Sequence, residues 1–196
     1  MIQKLAFYFA NFFACKGAYN VEKILIYQYG FELLISTVLN TFFILIIALL
    51  THRIIEVLFF CLSFVPLRSV AGGYHTKHHW SCILSFTVVL LGCVSLLKFF
   101  GLETSASYTL GAATLSAIIV WKLAPVEANN KPLNDIQHCA QRKKSRAMIT
   151  INFLVALLFF TIDTTSFQRI LCFYISGAFI ASLSLAVAKI SAHYYS

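Results

Sequence analysis

The residues able to perform chemistry are concentrated in one short stretch of the sequence, RSVAGGYHTKHHWSC, at positions 68–82. It ends on a thiol, that of Cys82, which closely follows three imidazoles, those of His75, His78 and His79. A thiolate attacks a carbonyl carbon where a thiol does not, and a neighbouring imidazole is a common base for forming it near neutral pH. The residue types therefore indicate thiol-dependent chemistry at a carbonyl group, as in a thiol protease or an acyl transfer.

The spacing of these residues favours His78 or His79 over His75 as the base. On one straight helix His75 and Cys82 would lie about 10.5 Å apart along the axis, which is too far for a hydrogen bond. His78 and His79 precede the thiol by four and three residues and would share its face of a helix. A bent approach of His75 is the alternative, and Gly72-Gly73, the one Gly pair in the sequence, makes such a bend plausible.

Two other interpretations of the same stretch compete with a catalytic dyad. All three histidines and Cys82 are potential zinc ligands, although the sequence shows no second cluster of such residues. The histidines are equally explained as polar residues of the lipid headgroup region, with Cys82 as a small apolar side chain that opens the next span. On spacing alone, the three interpretations stay open.

The composition indicates that this stretch lies at a membrane. Of the 196 residues, 60% are hydrophobic and 11% are charged, and the mean hydropathy is +0.82, whereas soluble domains average about 25% charged residues. The formal net charge of +8 is attributed to cytoplasmic loops and anionic lipid rather than to nucleic acid. The six Cys form no CxxC pair, so neither a disulfide framework nor a zinc ribbon is expected.

The fold expected from the hydropathy pattern is an all-α integral membrane protein, with one polytopic domain over residues 1–196. Residues 2–20 are apolar but interrupted by polar side chains, which suits an amphipathic helix in the interface plane. Residues 54–67 are short for a span, end at Pro66, and either cross or form a re-entrant arm. About six transmembrane helices are predicted, at 31–51, 54–67, 82–100, 106–124, 147–162 and 167–188.

The basic residues orient this arrangement. With the N-terminus inside and six crossings, only Arg53, Lys98 and Arg169 of the 15 Lys and Arg fall outside. A re-entrant 54–67 would instead place the positive loop at 122–146 outside, so the charges favour a full crossing. Both termini and the chemical stretch are therefore expected to face the cytoplasm.

The long connection at 122–146 is predicted to be a loop, because it contains two Pro and an Asn pair. It ends in a group of four cations, called the basic run here: Arg142, Lys143, Lys144 and Arg146. Two interpretations fit the basic run. It is either a solvated stop signal after a cytoplasmic loop, or an electropositive collar that gathers an acidic ligand near the membrane.

The strings AGGYHTKHHWSC at 71–82 and APVEANNKPL at 124–133, the latter followed by the basic run, resemble the AgrB family of bacterial membrane endopeptidases. The resemblance covers essentially the whole chain, in its length, its apolar spans and the order of the two motifs. It implies that His75 and Cys82, seven residues apart, are catalytic, and that Arg68 and Gly73 support the site. His78 and His79 are not part of the family pattern.

The resemblance also implies a reaction. AgrB proteins cut a short AgrD precursor, which has an amphipathic N-terminal helix, a signal segment with a Cys, and an acidic C-terminal tail. They remove the tail and close a thiolactone ring for quorum sensing, here through an acyl-thioester on Cys82 with His75 as the base. The basic run would collect the tail. The partners implied are an AgrD-like peptide and the lipid bilayer of the cell membrane, with a homodimer left open and no metal, cofactor or nucleic acid.

Two non-catalytic functions compete with this one, a small transporter or peptide exporter and a membrane adaptor that uses its basic loop. An exporter would place ionisable groups in mid-span, but Glu32 and Glu56 lie near the ends of their segments. Replacing Cys82 by Ala separates both functions from the enzyme, because neither requires a thiol at that position.

Overall fold

Every described element of the chain is helical, which confirms the predicted all-α class. The computed structural model describes residues 2–15, 24–72, 79–126, 135–160 and 164–194. Within these ranges a 3-10 turn at Leu102–Thr104 joins the fourth and fifth of seven α-helices. The helices are α1 (Ile2–Cys15), α2 (Ile24–Leu50), α3 (Ile54–Ala71), α4 (His79–Phe99), α5 (Ala106–Leu123), α6 (Asp135–Phe160) and α7 (Thr165–Tyr194).

Four of the described helices are long and apolar enough to cross a membrane, so the chain is a multi-pass membrane protein. These spans are Gly30–Leu50, Ile54–Ala71, Ala106–Leu123 and Thr165–Ser191. The apolar part of α4, Leu84–Phe99, is shorter, and α6 joins a polar N-terminal half to an apolar C-terminal half. The count of six spans and the placement of α1 in the interface plane stay predictions.

Two predicted boundaries are wrong. Segment 54–67 does not end at Pro66, because α3 continues through that proline to Ala71. Pro66 lacks the amide hydrogen that would donate to the Leu62 carbonyl oxygen one turn earlier, a loss that membrane helices tolerate. The connection 122–146 is not a loop throughout, because α6 begins at Asp135. The basic run therefore lies on a helix.

The described chain groups into two compact units, Met1–Thr51 with Thr76–Leu90, and His52–His75 with Leu91–Ser196. In the first unit α1 contacts α2 through small side chains, since Ala6 and Ala10 are buried one turn apart. The rings of Phe9 and Phe31 stack between the two helices with centroids 6.1 Å apart. Small residues let two helix backbones approach closely where lipid surrounds them.

The second unit is built on α7, which contacts α3, α5 and α6. Its buried face is lined by small side chains: Ser176, Gly177, Ala178, Ala181 and Ser182. The crossing with α3 is the closest, because a Cβ added to Gly177 would overlap the Phe60 carbonyl oxygen. A larger residue would force the two backbones apart.

Buried polar side chains connect the helices of the second unit. Asn152 on α6 donates from Nδ2 to the Ser63 hydroxyl of α3 at 3.5 Å and accepts from the Tyr174 hydroxyl of α7 at 2.5 Å. The hydroxyls of Tyr108 and Ser176 share a hydrogen bond of 3.0 Å between α5 and α7. Each bond satisfies a polar group that would otherwise be exposed to hydrocarbon.

The two ends of α3 meet the two ends of α5, so the two helices run in the same direction. At the start of α3, Arg53 Nη1 lies 2.7 Å from Glu103 Oε1, just before α5, and Arg169 Nε lies 3.9 Å from Glu103 Oε2. At the other end the Val126 amide, just after α5, donates to the Ala71 carbonyl oxygen at 3.1 Å. Eighteen helical residues span about 27 Å, close to the hydrocarbon thickness of about 30 Å.

Candidate functional site

The last turn of α3 carries Arg68, the first of the predicted site residues. Its guanidinium carbon lies 5.5 Å from the centroid of the Phe64 ring, one turn earlier on the same helix. The Arg68 carbonyl oxygen accepts from the Gly72 amide at 3.1 Å, and this bond closes the helix. A cation in the last turn also complements the partial negative charge of a helix C-terminus. The half-buried side chain of Arg68 is thus fixed at the end of α3.

Gly72 stops α3 with a backbone conformation that only glycine adopts readily. Its φ is 84° and its ψ is −169°, in a region essentially confined to glycine. A Cβ at this position would also overlap the carbonyl oxygen of Val126. The sequence prediction selected Gly73, which lies outside the described residues. The structure adds Gly72, and the Gly pair was the signal that could have identified it.

The contact at Gly72 joins the two motifs noted in the sequence. Val126 belongs to APVEANNKPL, and its amide bonds to the carbonyl oxygen of Ala71, the first residue of AGGYHTKHHWSC. The two bonded residues are 55 positions apart in the chain but adjacent at one end of the second unit. This contact places the chain just after α5 against the end of α3, at Ala71 and Gly72.

One predicted catalytic residue, Cys82, lies at the start of a helix. Cys82 is in the first turn of α4, which begins at His79. The side chain of Cys82 and the whole of His75 and His78 fall outside the described residues. The pairing of imidazole with thiol, and the zinc alternative, therefore stay predictions.

The basic run divides into two groups on α6. Arg142, Lys143 and Lys144 are exposed. Arg146 is half-buried, and its Nη2 donates to the Trp121 carbonyl oxygen at 3.1 Å, with the guanidinium carbon 4.7 Å from the centroid of the Trp121 ring. Three of the four cations are thus free to meet a ligand in solution, while the fourth contacts the end of α5.

Comparison with known proteins places the chain in a family. The family model for accessory gene regulator B, AgrB, matches residues 6–185. An AgrB-like protein of Clostridium perfringens strain SM101 is 28% identical over 165 residues, which cover 81% of this chain and 77% of the relative. AgrB-like protein 2 of Clostridium perfringens strain 13 is 27% identical with the same coverage. No solved structure matches the chain significantly.

The family match includes both motifs that meet at the end of α3, the first turn of α4 and the basic run on α6. The apolar helices of the fold agree with a membrane-embedded family of this kind. The chain belongs to the accessory gene regulator B family, and this membership supports a role in the processing of quorum-sensing peptides.

Proposed function

We propose that the chain is a membrane cysteine endopeptidase, which removes the acidic tail of an AgrD-like precursor and closes its signal segment into a thiolactone. The observation that carries the proposal is the backbone contact between Val126 and Ala71, which joins the two family motifs at one end of the second unit. It is supported by the place of Cys82 in the first turn of α4 and by the three exposed cations of α6.

In the proposed reaction His75 takes the proton of the Cys82 thiol, and the thiolate attacks the scissile carbonyl carbon. The peptide C–N bond breaks, the acyl group stays on the Cys82 sulfur as a thioester, and His75 gives its proton to the leaving amine of the tail. The thiol of the precursor's own Cys then attacks this thioester. A thiolactone forms, and the Cys82 thiol is released with its proton.

The second step exchanges one thioester for another, so it is close to isoenergetic and depends on excluding water. A site at the lipid edge restricts access of water to the acyl-enzyme. Membrane attachment of both enzyme and precursor also raises the effective concentration of the attacking thiol. Arg68, at the end of α3, would bind a carboxylate of the tail or stabilise the oxyanion.

The test is cleavage of a synthetic precursor by the protein in liposomes. Cys82→Ala should abolish cleavage while the protein still inserts, and Cys82→Ser should be nearly as inactive, since an alkoxide forms far less readily than a thiolate. His75→Ala should lower the rate by about 10²–10⁴-fold, as for a lost general base. His79→Ala should cost much less. An inactive His79→Ala variant beside an active His75→Ala variant would show that His79, and not His75, is the base.

The covalent intermediate provides a second test. A precursor whose internal Cys is changed to Ala lacks the ring-closing thiol, so an adduct of enzyme and N-terminal fragment should accumulate and be cleaved by hydroxylamine. Cys82→Ala should form no adduct. Activity that is lost to chelators, with one equivalent of metal per chain, would favour the zinc alternative instead.

A further inference from the structure

Arg146 occupies a position that none of the other cations on α6 shares. Its guanidinium contacts the Trp121 ring and carbonyl oxygen, and its Nε atom is shielded from solvent. On the same helix Arg142, one turn before Arg146, and Lys144, two residues before it, are both exposed. A cation that gathers a ligand needs its donors in solution, whereas Arg146 donates from Nη2 to the Trp121 carbonyl oxygen of its own chain.

The hydrogen bond from Arg146 satisfies a carbonyl group at the end of α5, that of Trp121, which has no amide donor within the helix. The last four carbonyl groups of a helix have no partner within it. The Ala124 amide donates to the Val120 carbonyl oxygen at 3.0 Å and is the last bond of this kind. The residue that would serve Trp121 in the same way is Pro125, which has no amide hydrogen. Arg146 supplies the missing donor, together with a positive charge at a helix C-terminus.

The next backbone N–H after that of Ala124 belongs to Val126, and it forms a hydrogen bond with a third helix. Val126 N–H donates to the Ala71 carbonyl oxygen at the end of α3. The last turn of α5 is therefore held by α6, through Arg146, and the chain just after α5 is held by α3, through Ala71. We call these two contacts, Arg146–Trp121 and Val126–Ala71, the brace.

We propose that Arg146 is a positioning residue, which through the brace holds Val126 against Gly72 and so fixes the end of α3 that carries Arg68. The inference rests on the proposed function for its consequence in catalysis, but the brace itself is a property of the fold. Arg146 is then not one of the cations that gather the acidic tail, and that task belongs to Arg142, Lys143 and Lys144.

Charge-conserving substitution separates positioning from gathering. Arg146→Lys keeps the charge but loses the planar group that stacks on Trp121, so kcat should fall roughly tenfold to hundredfold while KM changes little. Lys143→Gln and Lys144→Gln should instead raise KM and flatten the dependence of the rate on salt. Trp121→Leu carries no charge change, yet it should lower kcat as Arg146→Lys does, and combining the two should add little.

Hydrogen exchange of the Val126 amide measures the brace without any substrate. In Arg146→Gln this amide should exchange about fivefold faster than in the wild type, because its bond to Ala71 is weakened, whereas Lys144→Gln should leave it unchanged. Unaltered exchange in Arg146→Gln would overturn the inference, as would wild-type kcat in Arg146→Lys. If the wild-type protein cleaves no precursor, the proposed function fails, and the exchange rate alone decides whether Arg146 holds the brace.

Discussion

Position 72 requires glycine for two reasons that act together. An L-residue at φ 84° and ψ −169° is strained by about 1–3 kcal/mol, and its Cβ would overlap the Val126 carbonyl oxygen. The Val126 amide is at the same time bonded to Ala71, so the loop cannot move away without losing that bond. The conformation of Gly72 therefore controls how the end of α3 meets Val126.

We expect Gly72→Ala to lower the rate of precursor cleavage by roughly a hundredfold, since small displacements at a reacting site have costs of this order. The rate in liposomes, relative to the amount of inserted protein, measures it. Gly111→Ala is the matched control, because Gly111 lies in the same unit and an added Cβ there meets no atom within 4 Å. Equal rates for the two variants would show that Gly72 has no part in the site.

At the scale of helices, the crossing of α3 with α7 is the contact most sensitive to volume. The Phe60 carbonyl oxygen and the Phe64 amide nitrogen of α3 both lie near the Cβ that Gly177 lacks. Backbone atoms of a continuous helix yield less easily than the end of a flexible side chain. Extra volume at this position must therefore separate the helices, which also strains the Asn152 bonds to Ser63 and Tyr174.

Gly177→Ala should therefore lower the free energy of unfolding by about 1–3 kcal/mol, as overpacking in a close-packed core does. Unfolding in mixed detergent micelles followed by circular dichroism is a suitable measurement. The control is Gly92→Ala, where the added Cβ has nothing within 4 Å. If both variants unfold alike, the α3–α7 crossing is looser than the backbone positions indicate.

The helices were predictable to the extent that hydropathy defines them. α2, α5 and α7 follow long apolar runs, so their existence and approximate limits could be inferred from sequence. The first half of α6 could not, because its polar residues show no apolar period and were interpreted as a loop. The extension of α3 beyond Pro66 was missed for a different reason. The usual cost of an internal proline depends on neighbouring groups that a local pattern does not contain.

The candidate site shows the same division between local and long-range information. Arg68, the Gly pair and the basic run were found from residue types and from the family resemblance. The difference between Arg146 and its neighbours was not, since it depends on Trp121, 25 residues away. Likewise, spacing identified a Gly pair, but the requirement at Gly72 arises from its contact with Val126.

At the scale of the whole molecule, the charged residues of the second unit are distributed unevenly between its two ends, and this distribution predicts its orientation in the membrane. One end holds Arg53 and Arg169 around Glu103, so its cations are partly neutralised. The other end carries Arg68 and Lys122 together with the basic run. Because basic residues are retained in the cytoplasm, we expect the end with the brace to face inward. The proposed reaction requires the same orientation, since a precursor made in the cell reaches its protease from the cytoplasm.

Labelling of single cysteines on intact cells tests this orientation. In a variant lacking the six native Cys, a cysteine introduced by Lys144→Cys should resist a membrane-impermeant maleimide until the cells are opened. His52→Cys should react from outside, because His52 is exposed in the turn between α2 and α3, next to the Arg53–Glu103 pair. The two positions lie at opposite ends of the same unit, so each serves as a control for the other. External labelling at position 144 with protection at position 52 would show that the protein has the opposite orientation. The proposed site would then face away from the cytoplasm, where the precursor is made.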